Sequence, residues 1–148
     1  MAYDQLKLEN QLCFPVYAAS RLITREYQPL LDKLGITYPQ YLVLMFLWEV
    51  GESPVNDIAK KLLLNTNTIT PLLKRMEKQG IIVRERSSTD ERKVIVRLTE
   101  AGKAMEEEAA KIPEQLVAQI LSGDLSLEDL KALKENLNTV IDLLSKKK

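Results

Sequence analysis

Apolar side chains recur at helical spacing from about Gln11 to Leu34: Leu12, Val16, Ala19 and Ile23, then Tyr27, Leu30 and Leu31. Gly35 supplies a stop for this first helix, and Pro29 predicts a kink near its end. Thr37 is placed to cap a second helix, with Pro39 in its first turn. That helix, QYLVLMFLWEV up to Gly51, is apolar nearly all round and predicts a buried spine. ESPV, residues 52–55, reads as an extended link. VNDIAKKLLLN, residues 55–65, predicts a short helix with Val55, Ile58, Ala59 and Leu62 inward. In NTNTITPLLKRMEKQG, residues 65–80, Ile69, Leu72, Leu73 and Met76 fall at i, i+3, i+4 and i+7, which defines one buried face. Asn67 is the expected N-cap and Gly80 the C-terminal stop, which leaves Pro71 at the edge of the first turn.

The period then changes. IIVRER (81–86) and KVIVRL (93–98) read as strands around the polar turn SSTDER, a hairpin. Thr99 opens a long helix to about Leu121, with Ala101, Met105, Ala109, Ile112, Leu116 and Ile120 close to one stripe and Pro113 bending it. Ser126 caps a last amphipathic helix that ends in a lysine tail suited to a helix C-terminus. The order helix, helix, helix-turn-helix, hairpin, helix, helix gives the fold class: mainly α with a small β-hairpin wing. A winged helix-turn-helix lobe at residues 37–99 is flanked by long terminal helices at 1–36 and 100–148, in one domain spanning 1–148.

Composition narrows the chemistry. Histidine is absent, which removes Ser-His-Asp and Cys-His nucleophilic machinery, and a single cysteine cannot hold zinc. No glycine-rich phosphate loop is visible among five glycines. Neither a catalytic site nor a metal or cofactor is expected. No apolar run approaches the ~20 residues of a membrane span, and MAYDQLKLEN lacks the apolar stretch of a signal peptide. With one cysteine, these features lead to an expectation of a reducing cytoplasm.

Net charge is zero, but its distribution is uneven. Residues 55–97 hold ten Lys/Arg against five Asp/Glu, and the rest of the chain holds eleven against sixteen. A basic middle suits a polyanion such as double-stranded DNA. On the 65–80 helix, Thr68, Thr70, Lys74, Arg75 and Lys78 fall largely outside the buried face, so hydroxyls near the start and cations further on are offered to a major groove. The hairpin adds Arg84 and Arg86 on its strand and Asp90 and Arg92 at its tip. An arginine there suits a minor groove, and Asp90 is placed to pair with a neighbouring arginine and stiffen the loop. The long terminal helices are too apolar on one stripe to stand alone. Either they complete one monomeric core, or they pack against a second copy and set two reading helices about 34 Å apart over an inverted repeat.

The stretches LENQLCF, YQPLLDKLGITYPQY, TPLLKRMEKQG and DERKVIVRLTEAG resemble the MarR family of winged-helix repressors over nearly the whole chain. LENQLCF with ITYPQY is similar to its one-cysteine group, the organic-hydroperoxide sensors called OhrR. The resemblance implies a homodimeric repressor that reads DNA with the helix near Asn67 and the wing around Arg92. It implies a thiol, Cys13, that organic hydroperoxides oxidise and a low-molecular-weight thiol then caps. It places Tyr17, Tyr27 and Tyr38 around that cysteine. Cys13 and Tyr27 are 14 residues apart, about 21 Å along one straight helix, so Tyr27 meets Cys13 only from a partner's antiparallel helix. Two departures stand out. Asn65, Thr66 and Asn67 replace an acidic-Ser-Gly start, which bears on the operator read. Pro15 fits either a helix beginning near Leu12, with the thiol at the positive end of its dipole, where thiolate is favoured, or a kink without functional meaning.

Two other functions fit the same residues. A repressor of this kind can respond to a small aromatic ligand, with Cys13 as a packing residue. A one-cysteine peroxidase would need a thiolate-stabilising arginine, for which Arg21 and Arg25 are the helix's own candidates.

Overall fold

Two short 3-10 turns, Asp4–Leu6 and Leu8–Asn10, lead into the first helix. They are tied by side-chain amides: Asn10 donates to the Asp4 carbonyl, and Gln11 to those of Gln5 and Lys7, at 2.7–2.8 Å. Helix α1 then runs Cys13–Asp32. It starts where Pro15 allows, because a proline in the first turn forfeits only an N–H that has no partner within the helix. Gly35, at φ 72, turns the chain, and the Ile36 N–H closes back on the Leu31 carbonyl at 3.2 Å. This computed structural model describes residues 3–146. The last two residues of the expected lysine tail, 147 and 148, lie outside them. The described chain forms two compact units, one up to Ala110 and one from Lys111.

In the first unit, Thr37 caps α2, Tyr38–Val50, through a capping box with Gln40. Tyr41, Val43, Leu44 and Leu47 are buried, as the apolar run predicts. The expected link at ESPV is instead a strand, β1 (Glu52–Pro54), because β3 offers its free edge to it. Helix α3, Val55–Leu62, ends on Leu63 in the left-handed region at φ 58, with the Leu64 N–H bonded to the Ala59 carbonyl. Helix α4 spans Thr66–Lys78. Strands β2 (Ile82–Arg86) and β3 (Val94–Leu98) pair antiparallel, Ile82 opposite Leu98 and Arg86 opposite Val94, in the sheet order β1-β3-β2. The core lies where α2, α3 and α4 meet this sheet: Leu44, Leu47, Ile58, Ile69, Leu73, Met76 and Val96 are all fully enclosed.

Thr99 caps α5 (Glu100–Ala104), accepting the Gly102 N–H at 3.1 Å. The single long helix expected from Thr99 is interrupted. α5 gives way to α6 (Glu106–Ala109) around Met105, and the helical pattern lapses again at Ala110 and Lys111. The second lapse lies just before Pro113, whose ring crowds the carbonyl four residues back. The second unit comprises α7 (Ile112–Leu121) and α8 (Leu127–Ser145). Ser126 caps α8 in a capping box with Asp129, whose carboxyl the Ser126 N–H holds below its ordinary pKa. Leu133, Leu137, Val140, Ile141 and Leu144 line α8 at heptad-like spacing and stay exposed.

Candidate nucleic-acid interface and thiol site

Helix α4 buries the face predicted for it, with Ile69, Leu72, Leu73 and Met76 at 4% exposure or less. At about 100° per residue, Asn67, Lys74 and Lys78 point directly away from that face. Thr68, Thr70 and Arg75 flank them. The cap differs from expectation. It is Asn65, whose Oδ1 accepts the Thr68 N–H at 2.9 Å. The turn after α3 closes through Leu64, so Asn65 is the next residue free to cap, and Asn67 is left as the second residue of the helix, exposed to solvent. Pro71 accordingly sits inside the helix rather than at the edge of its first turn. The two asparagines therefore separate by experiment. Asn65→Ala should cost about 1 kcal/mol of stability, read as a lowered unfolding midpoint. Asn67→Ala should leave the midpoint alone and change contacts made by the helix. Equal effects of both on thermal unfolding would refute the assignment.

The hairpin is internally braced. Arg84 gives its N–H to Glu77 Oε2 at 3.0 Å and its Nη2 to Glu77 Oε1 at 3.1 Å, joining β2 to α4. The Arg84 N–H, then its guanidinium, hold the Glu77 carboxyl below its ordinary pKa. Arg84 is thus part-buried and committed, and Arg86 donates to the Glu91 carbonyl at 2.8 Å. At the tip, Asp90 accepts the Arg92 N–H at 3.0 Å and its Nε at 3.2 Å. These bonds, the backbone one first, keep Asp90 ionised below the usual carboxylate range. The Arg92 side chain is still 91% exposed, a cation held at its root and free at its end.

Cys13 and the three tyrosines expected around it fall into two groups. Cys13 is exposed in the first turn of α1 and has no hydrogen-bond partner among the described residues. Tyr17 lies one turn on, its hydroxyl accepting from Arg21 Nη1 at 3.0 Å, with the guanidinium carbon 5.7 Å from the ring centre. Tyr27 and Tyr38 are together elsewhere, ring centres 5.0 Å apart, near the other end of α1. A third ring, Tyr41, packs on both at 5.8 and 6.3 Å. Burial, with lesser repulsion from Tyr38 and Tyr41, pushes the Tyr27 phenol up to about 12. Burial also raises Tyr38 and Tyr41. All three phenols are therefore neutral near pH 7 and able to donate. Nothing in the chain brings Cys13 to Tyr27, since the helix between them is about 21 Å long.

The family of SarA/Rot transcriptional regulators matches residues 25–109. The organic hydroperoxide resistance transcriptional regulator of Bacillus subtilis (strain 168) is 51% identical over 145 residues, covering 98% of this chain and 97% of its own. The chain belongs to the MarR family of winged-helix transcriptional regulators, in its organic-hydroperoxide (OhrR) group. Among solved structures, reduced AbfR bound to DNA, a protein of Staphylococcus epidermidis, superposes on this regulator with a TM-score of 0.76 at 38% identity, over 97% of this chain and 99% of its own. Disulfide-formed AbfR gives 0.65 at 38% identity, over 97% and 95%.

Sequence reasoning missed Tyr41 in this OhrR-group chain. Its signal was available: Tyr38 and Tyr41 stand at i and i+3 after a Thr37–Gln40 capping box, which puts both on one side of the first turn. Among the described residues, no helix is long and apolar enough to cross a membrane.

Proposed function

We propose that this regulator is a homodimeric repressor that binds an inverted-repeat operator and leaves it when Cys13 is oxidised by an organic hydroperoxide. The observation that carries the reading is the split thiol site: an exposed Cys13 at one end of α1 and a cluster of neutral phenols at the other. Two copies of α1 running antiparallel bring each thiol to the other chain's Tyr27 and Tyr38. The apolar side chains left in water from the N-cap to the middle of α1, Leu12, Phe14, Val16, Leu22 and Ile23, support such an association, as does the exposed stripe of α8.

The chemistry balances without further groups. The Cys13 thiolate attacks the terminal peroxide oxygen, the O–O bond breaks, and with one proton the products are a sulfenic acid and an alcohol. A low-molecular-weight thiol then displaces water to leave a mixed disulfide. The cap is bulkier than the thiol it replaces and cannot keep the same phenol contacts, so the partner helices must shift and the two α4 helices lose their spacing. The wild-type test is a gel shift with and without hydroperoxide. Retained DNA on a protein whose Cys13 is fully oxidised by mass would sink the reading.

DNA contacts follow from exposure. Asn67, at the centre of the free face of α4, suits bidentate reading of adenine. Lys74, Arg75 and Lys78 suit phosphates, and Arg92 the minor groove. Arg92→Ala should weaken binding and lower the slope of log affinity against log salt by about one. A slope equal to that of the unsubstituted protein would show that Arg92 meets no phosphate or groove.

A further inference from the structure

Two glutamines join the start of α2 to the end of the DNA-reading helix. The Gln40 side chain is buried at 4% exposure. Its Oε1 accepts the Thr37 N–H at 3.1 Å, which turns its Nε2 outward to donate to Gln79 Oε1, also at 3.1 Å. Gln79, the residue that closes α4, passes its own Nε2 to the Gly35 carbonyl at 3.1 Å. The polarity of this relay is forced from both ends, because a backbone N–H only donates and a carbonyl only accepts. The relay therefore begins and ends on the corner between α1 and α2, with the C-cap residue of the reading helix held in its middle. Gln40 stands between Tyr38 and Tyr41 in chain geometry, and both rings pack on Tyr27.

Apart from the Arg84–Glu77 bonds to β2, the hold on α4 from below is apolar: Ile69, Leu72, Leu73 and Met76. Apolar contact is non-directional and tolerates small rotations, whereas a chain of hydrogen bonds fixes orientation. Arg75 and Lys78 line the same open cleft as Gly35, Thr37, Gln40 and Gln79, so a shift of the relay moves the cations of the last turns of α4.

We propose that Gln40 and Gln79 are positioning residues that carry a displacement of the tyrosine cluster to α4, and so convert oxidation at Cys13 into loss of DNA. The proposal rests on the thiol switch proposed above. Gln79→Ala removes the relay from its exposed side and leaves the Thr37–Gln40 capping box intact. Gln79→Glu keeps the acceptor for Gln40 and loses the donor to Gly35, and serves as the second variant should the first fold poorly by circular dichroism.

The measurement is fluorescence anisotropy of operator DNA against the full-length protein, reduced and after treatment with cumene hydroperoxide and cysteine, with oxidation of Cys13 verified by intact mass. Gln79→Ala should bind in the reduced form within about threefold of the unsubstituted protein. Its ratio of oxidised to reduced dissociation constants should fall by about tenfold, within the range of ordinary allosteric couplings. The rate of Cys13 oxidation should not change. Gln79→Glu should lose part of the same ratio. An unchanged ratio in both variants overturns the relay. So does an equal loss of affinity in reduced and oxidised forms, which would make the glutamines a static brace. If the unsubstituted protein keeps its DNA after full oxidation, the thiol switch itself fails, a result separate from either of these.

Discussion

A Cys13→Ser protein should keep its operator when organic hydroperoxide is added, under conditions in which the unsubstituted protein is expected to release it. The serine hydroxyl is close in size to the thiol but has no lone pair soft enough to attack a peroxide at neutral pH, so no sulfenic acid and no mixed disulfide form. The substitution costs little stability, because Cys13 is exposed and makes no hydrogen bond among the described residues. Reduced-state affinity should therefore match the parent. The substitution does not touch the Tyr27 phenol, which burial raises to about 12 and leaves neutral near pH 7. The expected effect is loss of the whole response, which for allosteric couplings is usually about 5- to 150-fold in affinity. Gel shifts of both proteins with and without hydroperoxide, with intact masses alongside, check it. Release of DNA by the serine variant would place the signal elsewhere in the chain.

Gly102→Ala should cost about 3 kcal/mol, combining overpacking with the loss of a part-buried hydrogen bond. A Cβ at position 102 would run into the Ile81 carbonyl oxygen, and the Leu98 side chain stands 3.1 Å away on another side. The carbonyl cannot turn aside cheaply, since it also accepts the Thr99 N–H at 3.1 Å. α5 must lift from the root of the hairpin instead. That movement breaks the bond from Trp48 Nε1 to the Gly102 carbonyl, 3.0 Å long, which ties α2 to α5. Against a total stability that is typically about 5–15 kcal/mol, a loss of this size is plain in a urea titration. A midpoint equal to the parent's would mean that α5 is not seated on the hairpin root.

Much of this molecule is written locally. Ile69, Leu72, Leu73 and Met76 occupy the enclosed face of α4 because their spacing allows no other face. Thr37, Thr99 and Ser126 cap the helices that their positions announce. Asn65 against Asn67 was not decidable that way, because either could cap. The choice follows from how many residues the preceding turn uses, and that turn places a leucine, Leu63, in the left-handed region where glycine is the usual occupant. Strand β1 was invisible for a similar reason: three residues carry no period, and only the free edge of β3 makes them a strand.

The candidate site divides along the same line. Its residue types and the about 21 Å of helix between Cys13 and Tyr27 follow from the sequence alone, because helical rise depends only on residue count. So does the presence of a basic, winged lobe between two acidic ends. Tertiary structure alone decided which groups are free and which are spent. Arg84 is taken by Glu77 and Asn65 by the helix end, while Arg92, Asn67 and Lys74 keep their outer ends in water. It also decided that Tyr41 joins Tyr27 and Tyr38, and that Gln40 meets Gln79 across 39 residues of chain. Hydrogen bonds between elements depend on where whole helices sit, and that is set by the packing of the apolar faces beneath them, not by any residue's near neighbours.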